Sequence, residues 1–456
     1  MHPRVRRLAI GVSAAAVVLA FTAGGWVAYQ TIAIGVGYKA KMLCSGVFVS
    51  GRQPEAVLAE IQADDLAPLR YIDGTVDRAA HTASADALGV LTRRALFRPG
   101  VGCALLLNRP AASADDGQRV AAALVPRPTE EANGRDDHGA VRLRPVIARA
   151  FAEPDRNRRR RTLAVVVMQH GQLIAEQYAD GIGIDTPLPG WSMAKSVMNA
   201  LTGVLVGQRL LALDAPVPIQ AWQQAGDARA AITLDHLLHM SSGLAFDEGM
   251  TGPRSDVVQM LFQQADTSAF AIDKTLRDRP GTHWDYSSGT TNILARVMRN
   301  VLPASEYSSF PRRALFDRIG MSSAVLETDA AGTFVGSSYM YATARDWARF
   351  GLLYVQDGVW NGERILPEGW VKYSFSPAPA DPAHHYGAHF WLQVPDGYAG
   401  ADPHVPLPAF HAAGHEGQFV TIVPSRELVI VRLGLTRYGG AWDHAAFVRD
   451  VLAALD

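Results

Sequence analysis

The chain is poor in lysine and in cysteine, and each shortage narrows its chemistry. Of 456 residues only five are lysine (Lys39, Lys41, Lys195, Lys274 and Lys372), so arginine carries nearly all the positive charge. A motif that needs lysine therefore has few chances of arising by accident. The two cysteines, Cys44 and Cys103, exclude a disulfide-rich scaffold and any cysteine-based zinc cluster. An oxidising compartment predicts one bridge between them; two free buried thiols are the alternative. A formal charge of -1 gives no global attraction to nucleic acid or anionic lipid, so nucleic acid is not expected as a partner. What is present is ordinary globular composition, 48% hydrophobic and 19% charged, in a length that suggests two or three units without internal repeats.

Arg4, Arg6 and Arg7 precede an uncharged run that lasts until Lys39. Its centre, Leu8 to Tyr29, meets the ~20 apolar residues needed to cross a bilayer. Basic residues stay on the cytoplasmic side. The expectation is a single-pass bacterial inner-membrane protein whose main domain faces the periplasm. A signal peptide cleaved near Ala23-Gly24-Gly25 is the alternative. The chain then divides into an anchor (1–37), a small region of mixed structure and unknown role (38–108), a linker rich in Ala, Asp, Pro, Glu and Gly (109–140), and a main domain (141–456). CSGVFVSGR reads as a short strand, and Pro54 to Ile61 as a helix. TLAVVVMQ and QLIAEQYA flank His170-Gly171 as a hairpin. Helices are expected after Ser192, over ITLDHLLHM, NILARVMRNVL, TARDWARFGLLYVQ and AAFVRDVLAAL, with late strands at FVTIVP and LVIVRLGL. This order suggests an α+β layering of sheet and helices.

The chemistry centres on Gly190-Trp191-Ser192-Met193-Ala194-Lys195-Ser196. Three residues of separation at a helix start put Ser192 and Lys195 on one face. A serine hydroxyl is a poor nucleophile until a neighbouring base takes its proton. A lysine can serve when burial disfavours its charged form. Five lysines, with serine at ordinary frequency, would give roughly 0.3 chance S-x-x-K matches; a capping serine with a surface lysine is the bland reading. Downstream stands Asp285-Tyr286-Ser287-Ser288-Gly289, whose tyrosine can act as base or carry a proton to a leaving group. The third element is His411-Ala412-Ala413-Gly414-His415-Glu416-Gly417-Gln418, before a strand. Its glycines allow close backbone approach, and its N–H groups can stabilise an oxyanion together with that of Ser192.

In this order the three elements, with LLHMSSGL (237–244) and YATARDWARFGLLYVQDGVWNG (341–362), resemble the serine β-lactamase and penicillin-binding-protein superfamily. The likeness is closer to its CubicO-type esterase and amidase branch, including 6-aminohexanoate-dimer hydrolases, and covers about residues 140–456. The resemblance implies an antiparallel sheet flanked by helices plus a helical subdomain, with the site between them. It makes Ser192 the nucleophile, Lys195 its base and Tyr286 the tyrosine of a Y-x-N motif. Ser288 then stands where many penicillin-recognising members carry asparagine, at a substrate-binding position. In the K-T-G-like triplet Ala412 takes the Lys or His position, Gly414 is the glycine, and the N–H of His415 joins the oxyanion hole. An alternative frame reads His415-Glu416-Gly417 as the triplet. Asp247 and Glu248 are candidates to face the cleft, as acidic residues of this stretch do in nylon-oligomer hydrolases.

The expected activity is hydrolysis of small esters or amides through an acyl-enzyme on Ser192, without metal or cofactor. A β-lactamase or DD-peptidase and a non-catalytic penicillin-binding-like scaffold are the competing readings. His236, His239, His384, His385 and His389 read as ordinary surface or capping histidines, since HLLH lacks the glutamate of H-E-x-x-H.

Overall fold

The computed structural model describes residues 3–107, 137–249, 252–400, 402 and 405–456, with the backbone alone for 3–23, 65, 137 and 138. Most of the expected linker, 109–136, lies outside the described residues.

The N-terminal helix, Pro3–Cys44, passes the expected boundary at 37/38 without a break. Its later turns are core: Ala33, Val36, Ala40 and Leu43 are buried against an antiparallel meander. The meander is β1 Asp73–Asp77, β2 Thr82–Ala87, β3 Leu91–Arg98 and β4 Gly102–Leu106. CSGVFVSGR is no strand. Ser45–Val49 continues the helix as a π-helical turn, because Ser45 is buried and its hydroxyl is bound by Lys41 and Glu327. Pro54–Ile61 is helical as expected, with proline in its first turn, where its missing N–H costs nothing. Cys44 and Cys103 form a disulfide that joins the end of the helix to β4.

The main domain carries β5 Thr162–Gln169 and β6 Gln172–Tyr178, turned at His170 (φ 50°) and Gly171 (φ 72°). Two positive φ values define the hairpin turn whose twist matches that of the strands. A small sheet follows, made of β7 Leu188–Pro189, β8 Val325–Leu326 and β9 Met340–Ala342 in the order β7-β9-β8, and a short hairpin of β10 Val359–Trp360 and β11 Glu363–Arg364. β12 Phe410–Gly414, β13 Gln418–Val423 and β14 Leu428–Gly434 complete a five-stranded antiparallel sheet ordered β12-β13-β14-β5-β6.

Both faces of this sheet are covered, which explains its unbroken apolar strands. Ala164, Val166 and Met168 enter one core; Val165 and Val167 enter the other. The helix Ala344–Val355 packs on β13, β14 and β5, while Asp137–Phe151, which begins inside the expected linker, pairs with His444–Leu455 on the opposite face. Met193–Gly207, Asp256–Gln263, Thr267–Ile272 and Ser288–Val301 belong to the helical part between the early and late strands. ITLDHLLHM yields only Leu234–Leu238, ended by Met240 at φ 55°.

Glu327 fastens the N-terminal region to the main domain. It is fully buried, ion-paired with buried Lys41, and accepts from Ser45 Oγ at 2.9 Å and the Cys103 amide at 2.7 Å. Gly102 permits this approach: a Cβ there would meet Glu327 Cγ at 2.4 Å.

Candidate active site

Ser192 stands at the position before the helix Met193–Gly207, one residue after Trp191 at φ 48°. A bulky residue with positive φ is an outlier of the kind that turns a chain sharply. Here the turn leads from β7 into the helix and leaves Ser192 on a cavity wall. The Trp191 indole N–H reaches Glu416 Oε2 at 3.4 Å. Glu416 is held by Arg437 at 2.7 Å, and Arg437 donates to the carbonyls of Glu60 and Ala63. The N-terminal region thus bears on the turn that presents Ser192.

Lys195 is 1% exposed, and its Nζ donates to Ser192 Oγ at 3.0 Å, Ser288 Oγ at 3.0 Å and the Ser337 carbonyl at 3.1 Å. Burial pulls its pKa down to about 8, against the opposing charge of Glu248. Its own carbonyl is 3.0 Å from Nδ1 of His389, a buried histidine that desolvation keeps neutral. Tyr286 meets the Ser192 hydroxyl, and Lys195 Nζ lies 4.7 Å from the centre of its ring. Burial pushes the phenol well above its ordinary pKa, so Tyr286 stays protonated and can donate rather than act as a phenolate.

Two sequence expectations need correction. Ser288 is turned inward and does not line the cavity: it accepts from Lys195 and donates to Glu248 Oε1 at 2.5 Å, while its amide donates to Glu248 Oε2 at 2.7 Å. It links the lysine to an acid. That acid is Glu248 and not Asp247, which stays exposed and caps its own loop through the Gly249 amide. Burial pushes the Glu248 carboxyl upward in pKa, and Lys195 opposes this.

Gly414 ends β12 directly against the turn that carries Ser192. A Cβ there would meet the Gly190 carbonyl oxygen at 2.2 Å and Ser192 N at 3.2 Å. This closeness fits the frame in which Gly414 is the glycine and His415 follows it beside the oxyanion. His415 lies on the cavity wall with its ring 5.5 Å from that of Trp191. Ala412 and His411 do not line this cavity. His411 is buried, bonded to Thr421, and brought down to about pKa 3 by desolvation, so it offers no cation.

The cavity has a volume of about 500 Å³ and is walled by Trp284, Tyr286, Trp391 and Tyr398, with Glu248 and Asp396 as its acids. Trp284, Trp391, Tyr398 and Asp396 carry no sequence signal, because isolated aromatics in a loop look the same whether they line a cleft or fill a core. A serine hydroxyl, a neighbouring amine with a lowered pKa, a protonated phenol and a close backbone strand can together support acyl transfer.

Known proteins resemble this chain over its main domain. The β-lactamase family model matches residues 147–454. A 6-aminohexanoate-dimer hydrolase of Paenarthrobacter ureafaciens is 26% identical over 263 residues, which cover 54% of this chain and 66%, just under two thirds, of that protein. Among solved structures, a family VIII carboxylesterase superposes with TM-score 0.53 at 14% identity over 69% of this chain and 97% of its own. An octameric penicillin-binding protein homologue from Pyrococcus abyssi gives 0.52 at 16% over 69% and 77%. These two likenesses speak for the fold. With most of the main domain matched, the chain belongs to the β-lactamase family, within the serine hydrolases of esterase, amidase and β-lactamase type.

Proposed function

We propose that the protein hydrolyses small esters or amides lacking a carboxylate near the scissile bond, through an acyl-enzyme on Ser192. The observation that carries this reading is Lys195 Nζ at 3.0 Å from Ser192 Oγ, with a pKa of about 8 that leaves part of the amine neutral near neutral pH. The neutral amine takes the hydroxyl proton as Oγ attacks the carbonyl. The N–H groups of Ser192 and His415 receive the oxyanion. Collapse expels the alcohol or amine, protonated from the Lys195–Tyr286 pair, and water then releases the acid by the reverse path.

Electrostatics supports the substrate class. Among the described residues the cavity lining holds Glu248 and Asp396 and neither arginine nor lysine, and Lys195 is buried beside Ser192. A charge-assisted hydrogen bond to a substrate carboxylate is about twice as strong as a neutral one, and among the described lining residues no guanidinium or surface ammonium is present to make it. An amine-bearing or neutral aliphatic chain between aromatic walls fits better, in keeping with the amide dimer named for the Paenarthrobacter relative. The uncharged apolar run Leu8–Tyr29 behind Arg4, Arg6 and Arg7, which precedes the helical turns packed in the core, supports anchoring with the hydrolase domain on the periplasmic side.

The test compares kcat/KM for a short-chain p-nitrophenyl ester, an aminohexanoate dimer and a chromogenic cephalosporin, with Ser192→Ala as control. Ester or dimer turnover with an acyl adduct on Ser192 by mass spectrometry is the expected result. A cephalosporin rate far above both would return the protein to the β-lactamases.

A further inference from the structure

Six of the nine large apolar side chains that stand exposed among the described residues belong to the N-terminal region: Trp26, Tyr29, Ile32, Tyr71, Leu88 and Val90. They gather at one end of it. Gly35 of the helix packs against the side chains of Leu69 and Ile72, and Gly74 against Lys39 and Leu43, so β1 runs alongside the helix and away from its start. Asp73 pairs with Asp86, which puts the β2–β3 turn past Ile72, toward the helix N-terminus. Cys44–Cys103 lies at the opposite end of the same sheet. The turn residues Leu88 and Gly89 reach roughly 3–7 Å beyond the level of Ile72 at ~3.3 Å per strand residue. That equals roughly two to four helix residues at ~1.5 Å each, which brings the turn level with Ile32 and close to Tyr29.

The turn itself is unusual. Leu88 (φ 56°) and Gly89 (φ 70°) occupy a tight hairpin, closed by Val90 N donating to the Ala87 carbonyl at 3.0 Å. Its first central position favours Asn, Asp or Gly. Leu88 is instead a bulky residue with positive φ, and it is 87% exposed; Val90 is 86% exposed. Folding of this hairpin gains nothing from either side chain. Tyr71, 68% exposed, stands at the same level, and the Arg70 guanidinium lies 5.0 Å from its ring.

We infer that Leu88, Val90 and Tyr71 form an apolar foot that dips into the bilayer interface beside the emerging helix and holds the hydrolase domain close against the lipid surface. This rests on the reading of the helix as a membrane anchor. Trp26 and Tyr29 suit the headgroup level, where aromatic side chains concentrate, and Arg70 suits anionic headgroups. The occupant is lipid, because the β2–β3 turn points toward the start of the helix, where the uncharged apolar run Leu8–Tyr29 reads as the membrane span.

The test uses the full chain reconstituted in phosphatidylethanolamine–phosphatidylglycerol vesicles. Both native cysteines are bridged, so Val90→Cys supplies a single thiol for an environment-sensitive fluorophore, and Glu368→Cys on the main domain serves as the control. Both positions are exposed, so neither substitution threatens the fold. Flotation with the vesicles reads the anchor; quenching by lipids spin-labelled near the headgroup reads the foot. The expected result is flotation of both proteins, with a blue shift and quenching for Val90→Cys alone. Flotation without quenching at Val90→Cys would overturn the foot and leave the anchor standing. Failure to float would overturn the anchor and the foot with it. A blue shift that persists in vesicles without quenching, together with a disulfide cross-link between two unlabelled copies of the Val90→Cys variant, would assign the patch to a second copy of the chain.

Discussion

Lys195 and Glu248 face each other across a single hydroxyl: Ser288 Oγ accepts from the amine at 3.0 Å and donates to the carboxylate at 2.5 Å. The lysine therefore feels an acid it does not touch. Burial lowers its pKa to about 8, and Glu248 works in the opposite direction.

The first prediction concerns pH. Only the neutral amine can take the Ser192 proton, so kcat/KM rises with pH and levels off above about 8, the Lys195 value. Glu248→Gln removes the charge that favours the ammonium. The amine then loses its proton more readily, and the midpoint moves to lower pH. A pH–rate profile of the variant decides this; an unmoved or higher midpoint would show that Glu248 does not act on Lys195.

The second prediction concerns Tyr286. Its phenol stays protonated and meets the Ser192 hydroxyl. Tyr286→Phe keeps the ring and removes the proton carrier, with an expected loss of about 10²–10⁴-fold in acylation. Single-turnover kinetics with a chromogenic ester measures it, and near-normal acylation would make the tyrosine structural.

Gly414→Ala is the third. The new Cβ would stand 2.2 Å from the Gly190 carbonyl oxygen, a backbone atom that cannot swing aside. β12 must withdraw from the nucleophile turn, and a displacement of ~1 Å costs about 10²-fold in rate. Folding should survive, since the collision involves a strand end and not the core. Circular dichroism together with kcat tests both halves; full activity would remove β12 from the oxyanion site.

The fourth addresses the N-terminal region. Lys41→Met leaves buried Glu327 without its cation, and breaking such a pair typically costs about 3–5 kcal/mol. Lys41→Met combined with Glu327→Leu should recover much of that loss, because no charge is then stranded. Urea unfolding of both variants is the measurement, and equal destabilisation would mean that the loss comes from the pair and its hydrogen bonds and not from a stranded carboxylate.

Much of the main domain was legible because its signals are local. The apolar runs of β5, β13 and β14, the glycine turn at 170–171 and the capped helices each declare themselves within a few residues. Ser192 and Lys195 were legible for the same reason: one helical turn brings them together. The strand expected at CSGVFVSGR failed because Ser45 is buried beside Lys41 and Glu327, a contact across 282 residues of chain that alternation of apolar residues cannot report. Asp247 and Glu248 were not told apart because adjacent acids in a loop look alike until a partner chooses one, and Ser288 is that partner.

By itself the sequence determined a serine and an amine at helical spacing, the apolar strands and helices of an α+β layering, and an N-terminal run apolar enough for a membrane. These depend on periodicity and short-range geometry. The tertiary structure alone decided which acid faces the lysine, that Ser288 joins them, that aromatic side chains from separate loops wall the cavity, and that the N-terminal helix continues into the core. Each of those is a meeting of distant segments, fixed by packing and by the need to pair every buried charge.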